Sequence, residues 1–220
     1  MKTQVTGTAG KRGAGRPKAE EGLAAEKILD AALEAFGNYG YDGVSVRTLN
    51  RELGVSHNLI NQRFGSKREL WKAAVDYAFA PMIAEVSARF DPAGTDPLEG
   101  LRAMIRAFIG FSATHPHILG LMNFEARQES DRLDYIFNTY IWPVEQGIGL
   151  LLEELAAAGE IKQVSLSTLH CLVTHGGAAP FTLAPLTARL DAGRVADPEA
   201  IDQHARLVAD VLVDGLRIRD

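Results

Sequence analysis

Residues 57–64 read His-Asn-Leu-Ile-Asn-Gln-Arg-Phe. Five of these side chains, His57, Asn58, Asn61, Gln62 and Arg63, are of types that can hydrogen-bond, and Leu59, Ile60 and Phe64 are the apolar remainder. On a two-turn helix that polar set exceeds what solubility requires. It suits a surface that reads donors and acceptors on a partner, such as base edges in a DNA major groove. A helix this short fits the groove, and its N-terminus aims backbone N–H groups at phosphate. For Asn61 and Gln62 the competing reading is ordinary solvated surface.

No catalytic set stands beside it. His115, His117, His170 and His175, with Glu125, could be gathered around a metal on paper, but their spacing fits no common zinc signature and His170-Cys171 lacks a second cysteine pair. Structural or pocket-lining roles suit these histidines better, so neither a metal nor a cofactor is expected. The absence of a nucleophile, base and orienter together argues against an enzyme. Aromatic residues and methionine cluster in the middle of the chain, from Phe108 to Trp142. Most belong to the core. If a cavity exists, Phe108, Phe111, Met122, Phe124, Tyr140 and His175 are the candidates to line it, and such a lining suits a lipophilic small molecule.

The elements that would position these residues are all helical. Ile28, Leu29, Ala32, Leu33 and Phe36 recur at one-turn spacing and predict a helix over 22–38, with Gly37 and Gly40 as stops. Ser45 caps a second helix striped by Val46, Leu49 and Leu53 and ended by Gly54. Ser56 caps a third, from His57 to about Phe64, and Ser66 a fourth carrying Leu70, Trp71, Ala74, Val75 and Phe79. Helix, tight glycine turn, helix is the helix-turn-helix plan. Pro81 marks the expected end of that unit.

Beyond it, Asp96-Pro97 and Asp197-Pro198 each give a cap followed by proline at the first helical position. They open helices over 97–114 and 198–217. Further helices are expected near 117–128, over 131–158 with a bend or break at Pro143, and over 165–180. The fold class is therefore all-α, with a three-helix N-terminal unit at 22–80 and a larger helical domain at 81–220. Residues 1–21 form a basic arm without hydrophobic period, expected to be disordered in the free protein.

Charge follows the same division. The whole chain carries −5, but residues 1–21 carry +3, residues 22–80 carry zero and residues 81–220 carry −8. A basic leading end on an acidic body suits a molecule that approaches phosphate with one end. The start lacks the apolar core of a signal peptide, one cysteine permits no internal disulfide, and no stretch is long enough to span a bilayer. A cytoplasmic protein is expected.

Segment 24–79 resembles the DNA-binding domain of the tetracycline-repressor (TetR) family of transcriptional regulators. The resemblance rests on ILDAALEAFGNYGYDGVSV at 28–46, on R-x-L-x-R-E-L-G-V-S at 47–56 and on F-G-S-K-R-E-L at 64–70. It implies base or groove contacts for Arg47, His57, Asn58 and Asn61, and phosphate contacts for Ser45, Ser56, Gln62, Arg63 and Lys67. The family usually has an aromatic residue where Asn61 stands, so a hydrogen bond replaces an apolar contact at that base. Gly15-Arg16-Pro17 looks like the core of an AT-hook, in which Arg16 would enter a narrow A·T minor groove. A plain solvated arm fits those residues equally, and an architectural binder of A·T-rich DNA is the reading the arm alone would favour.

The family resemblance implies a repressor that binds a double-stranded DNA operator as a homodimer and responds to a small-molecule effector. The last two long helices, over 165–180 and 198–217, are the expected dimer elements. The small residues Gly176, Gly177, Ala178 and Ala179 would permit close approach.

Overall fold

The computed structural model describes residues 18–89, 96–191 and 197–218, with side chains from residue 25 onward. Arg16 and the rest of the basic arm before residue 18 lie outside them. Every regular element among the described residues is helical, and one antiparallel bridge, Ile161 to Arg217, ties the end of the chain to a loop.

Helix α1 (Lys18–Gly43) runs past its expected end at 38 and is interrupted at Gly40, whose φ of 69° lies in the left-handed region that favours glycine. Helix α2 (Val46–Glu52) starts where Ser45 accepts the Thr48 N–H, and Gly54 takes a φ of 65° in the turn that follows. Helix α3 (Leu59–Phe64) begins later than expected. Asn58, not Ser56, occupies its cap position, and its side chain makes no capping bond. Helix α4 (Lys67–Ser87) is capped by Ser66, which accepts the Glu69 N–H. It passes Pro81 unbroken, so the boundary expected there falls inside a helix. Its first half carries Leu70, Trp71 and Ala74 in the core around α1, and its second half carries Met82 and Val86 toward the larger domain.

Helices α5 (Pro97–Thr114) and α6 (Pro116–Glu125) follow with proline in the first turn of each, as the Asp96 cap predicts for α5. The helix expected over 131–158 is interrupted just before Pro143 rather than at it. Helix α7 (Asp131–Ile136) widens into one π turn (Phe137–Ile141) and continues as α8 (Trp142–Ala157). The wider turn leaves Pro143 in the first turn of α8, where its missing N–H removes no bond of that helix.

The single helix expected over 165–180 is broken. Helix α9 (Leu166–Cys171) gives way to a π turn (Leu172–Gly177), then to α10 (Ala179–Thr182) and α11 (Ala184–Leu190), which had no signal. A Cβ at Gly177 would meet Ile109 Cδ1 at 2.9 Å and Val208 Cγ1 at 3.1 Å. The Gly177-Ala178 pair is thus used for packing inside one chain, which removes the reason for placing a second copy against it.

Helix α12 (Pro198–Leu216) lays Ala205, Ala209 and Val213 against α5 and turns Leu207 and Val211 outward. Arg102 of α5 pins the two helices through ion pairs to Asp210 and Asp214. One apolar core joins α1–α4 to α5–α8, and a second joins α5, α8, α9 and α12.

Candidate DNA interface and effector cavity

The N-terminal surface is built around a side chain outside the apolar stripes. Asn50 of α2 is 1% exposed. Its Nδ2 donates to the His57 carbonyl at 3.1 Å, and its Oδ1 accepts the Ile60 N–H at 3.3 Å. Asn50 therefore caps α3 from a neighbouring helix, taking the role expected of Ser56. Ile60 and Leu49 are buried beneath, and the turn between α2 and α3 is fixed from inside.

What remains outside is the polar set. Ser45, Arg47, Ser56, His57, Asn58, Asn61, Gln62 and Arg63 are all exposed around α2, the turn and α3. His57 and Asn58 precede α3, and Asn61, Gln62 and Arg63 lie on it. Lys67 is half-buried, its ammonium 4.5 Å from the centre of the Tyr41 ring. Arg132 of α7 lies over the same ring at 4.1 Å, and its Nε donates to both oxygens of Glu125, which is 2% exposed. Tyr41 therefore meets one cation of the N-terminal unit and one of the larger domain.

Trp71 continues this contact. It packs edge-on against Tyr41 at 6.5 Å and against Tyr135 at 6.2 Å. Tyr135 and Tyr140 both donate to Asp76 Oδ1 of α4, Tyr140 at 2.6 Å. Burial first, then the bond to Asp76, pushes Tyr135 up to about 12, and the same causes raise Tyr140.

Tyr140 borders a cavity between α4, α5, α8 and α9. This chamber, about 110 Å³, is walled by Met82, Val86, Leu101, Ile105, Phe108 and Val144, with Tyr140, Glu145 and His170 as its titratable groups. A second chamber of about 310 Å³ reaches Ile118, Leu119 and Met122 of α6, together with His175 and Leu183. Met82, Phe108, Ile141, His170 and Thr174 wall both. Of the residues proposed from sequence, Phe108, Met122, Tyr140 and His175 border this space. Phe111 and Phe124 do not. Phe111 stacks on His115 at 4.1 Å, and Phe124 packs over Gly40, where a Cβ would meet its ring at 2.8 Å.

Among the described residues no three His, Cys, Asp or Glu side chains are placed to hold a metal. His170 Nδ1 instead lies 2.6 Å from Glu145 Oε1, a pair 25 residues apart that no local spacing announces. No helix among the described residues is long and apolar enough to cross a membrane.

Helix α6 lines the second chamber and also lies on α1. A Cβ at Gly37 would meet the His117 carbonyl oxygen at 2.6 Å, and one at Gly120 would meet the Gly37 oxygen at 2.7 Å. The two helices therefore touch backbone to backbone. Gly37 serves this approach and stays helical.

Residues 28–74 match the family described as bacterial regulatory proteins, tetR family, and residues 97–212 match the tetracyclin repressor-like C-terminal domain. The HTH-type transcriptional regulator YezE of Bacillus subtilis is 34% identical over 68 residues, which is 31% of this chain and 35% of that protein. The HTH-type transcriptional regulator BetI of Brucella melitensis is 26% identical over 149 residues, 66% of this chain and 74% of its own. The chain thus spans about a third of the first of these relatives and about three quarters of the second. In fold it is similar to the ketosteroid transcriptional regulator KstR2 of Mycobacterium tuberculosis, with a TM-score of 0.71 at 16% identity over 94% of this chain and 100% of the other. With both domains matched, the chain belongs to the TetR family of helix-turn-helix transcriptional regulators.

Proposed function

We propose that this regulator is a homodimeric repressor that binds a double-stranded DNA operator and leaves it when a small lipophilic effector fills the paired chambers. The observation that carries the reading is the double position of α6. One face of α6 borders the second chamber through Ile118, Leu119 and Met122. Another touches the α1 backbone at Gly37. A ligand that displaces α6 therefore displaces the scaffold of the DNA-facing unit. The effector needs only to bind better to the arrangement in which the two α3 helices no longer match successive major grooves.

On the DNA, Arg47, His57, Asn58 and Asn61 serve the groove, and Ser45, Ser56, Gln62, Arg63 and Lys67 serve phosphates. Arg16 of the arm is assigned to the minor groove. The second copy is placed on the outer face of α12, where Leu207 and Val211 are each 62% exposed and one turn apart. The protein acts in the cytoplasm, where its operator lies.

Selection of genomic fragments by the purified protein, followed by footprinting, tests this reading. Two protected half-sites related by two-fold symmetry are expected, with protection lost on adding the effector. Uniform protection of A·T-rich DNA would overturn it.

A further inference from the structure

The paired chambers carry one fixed charge. Of the side chains that wall them, Glu145 is the only Asp or Glu, and no Lys or Arg is among them. The other polar groups are largely committed. Tyr140 donates its hydroxyl to Asp76, Thr174 donates to the His170 carbonyl at 2.7 Å, and Thr182 donates to the Ala179 carbonyl at 3.1 Å. Asn123 and His175 lie on the second chamber only, while half-buried Glu145 of the first chamber meets His170, which walls both, with His170 Nδ1 on Glu145 Oε1.

Their chemistry is that of acceptors. A neutral His170 that gives its Nδ1 proton to Glu145 leaves Nε2 as an acceptor, and the carboxylate keeps Oε2 for a further donor. Beside a neutral His170, the carboxylate and the free ring nitrogen are two acceptors at the end of an apolar wall, a pairing that suits a cation carrying N–H groups. A carboxylate or phosphate ligand would meet Glu145 with no lysine or arginine to offset the repulsion. A quaternary ammonium would bring charge but no donor.

We propose that the effector is an apolar chain or ring system bearing a protonated primary or secondary amine. The amine donates to the free Oε2 of Glu145 beside His170, and the apolar part lies along Met82, Phe108 and Ile141. The proposal rests on the effector-cavity reading above and specifies its ligand class.

Titration calorimetry of the full chain tests it with four ten-carbon probes below their micelle concentrations: decylammonium, decanol, decanoate and decyltrimethylammonium. Decylammonium should bind at least about tenfold more tightly than decanol, because the ammonium adds the attraction of opposite charges to the hydrogen bond that the alcohol also gives the carboxylate. Decyltrimethylammonium should bind more weakly than decylammonium, and decanoate most weakly. Glu145→Gln should remove the margin of decylammonium over decanol, with circular dichroism and thermal unfolding verifying that the variant is folded. Decanoate matching decylammonium in the wild-type protein would overturn the proposal without any variant. So would a Glu145→Gln protein that keeps the margin. Decanol binding with no margin for the amine overturns the ligand class alone. Failure of all four probes to bind overturns the cavity reading with it.

Discussion

Replacing Gly120 by alanine tests the link between cavity and DNA directly. The added Cβ would stand 2.7 Å from the Gly37 oxygen, where ordinary contact begins at 3.4 Å, so α1 and α6 must part by the difference, 0.7 Å. Both obstructing groups are backbone, and no rotamer change relieves them. Overpacking of this kind costs about 1–3 kcal/mol. The gain in helix propensity returns about 1 kcal/mol. Net destabilisation should therefore lie between about zero and 2 kcal/mol.

The larger effect falls on DNA affinity. Free protein can relax by letting α1 drift from α6, whereas the operator-bound form must restore the original spacing and carry the strain. About 1–2 kcal/mol of strain confined to the bound form weakens operator binding about 5- to 30-fold. Fluorescence anisotropy with the selected operator measures this, and thermal unfolding measures stability. Gly110→Ala is the control, because a Cβ there meets nothing within 4 Å. It should raise stability by about 1 kcal/mol and leave operator affinity unchanged. Gly37→Ala, which meets the His117 oxygen at 2.6 Å, should resemble Gly120→Ala, and the double variant should cost less than the sum because one gap admits both methyls. If Gly120→Ala stabilises the protein as Gly110→Ala does and binds operator normally, the backbone contact does not constrain the DNA-facing unit.

Asn50→Ala strands the Ile60 N–H and the His57 carbonyl, so unfolding experiments should show a loss of about 1–3 kcal/mol, with operator affinity falling although no exposed residue changes. Asn61→Ala should relax base preference in competition binding, at about 1–3 kcal/mol of discrimination, whereas Lys67→Ala should weaken specific and random DNA alike. Leu207→Asp combined with Val211→Asp should yield a folded monomer in sedimentation, since both side chains are exposed in the single chain. Tyr135 and Tyr140 are raised above the ordinary tyrosine value of 10.0, so their contribution is complete below pH 10 and that of Tyr135 is lost as pH rises through about 12, with Tyr140 following in the same direction. Urea titrations across that range should show stability falling with pH, and Tyr135→Phe with Tyr140→Phe should flatten that fall.

The N-terminal unit was legible because its signals are local. Ser45, Gly54 and Ser66 do at short range what their side chains or missing Cβ allow, and each stands where the chain turns. Asn50 was not legible, since a polar residue in an exposed-looking helical position gives no sign that it is buried and bonds across a turn. Gly37 read as a helix stop because close backbone approach and helix termination select the same residue. Neither π turn had a signature: Pro143 announces a disturbance, but the wide turn that absorbs it lies upstream in Phe137–Ile141. Aromatic composition located the middle of the larger domain but could not say which rings face a void. Phe108 and Tyr140 do, Phe111 is taken by His115, and Phe124 by Gly40.

The two connections between the domains differ in kind, which bears on how a signal crosses. At Gly37 and Gly120 the helices meet through backbone, a contact that transmits displacement because nothing in it can rotate away. Around Tyr41 the contact is made by Lys67 and Arg132 over one ring, with Glu125 behind Arg132. Such cation contacts fix orientation, are worth about 0.5–2 kcal/mol each, and can break and reform. In the proposed mechanism, a shift of α6 would carry Glu125, its last residue, and with it the bonded Arg132 relative to Tyr41, and would change the fit of Gly120 on α1. Movement of one helix would thus act on the DNA-facing unit at two points. Met122 of the chamber wall stands less than one turn from Glu125 on the same helix, so a ligand bound as proposed would act on both contacts through α6.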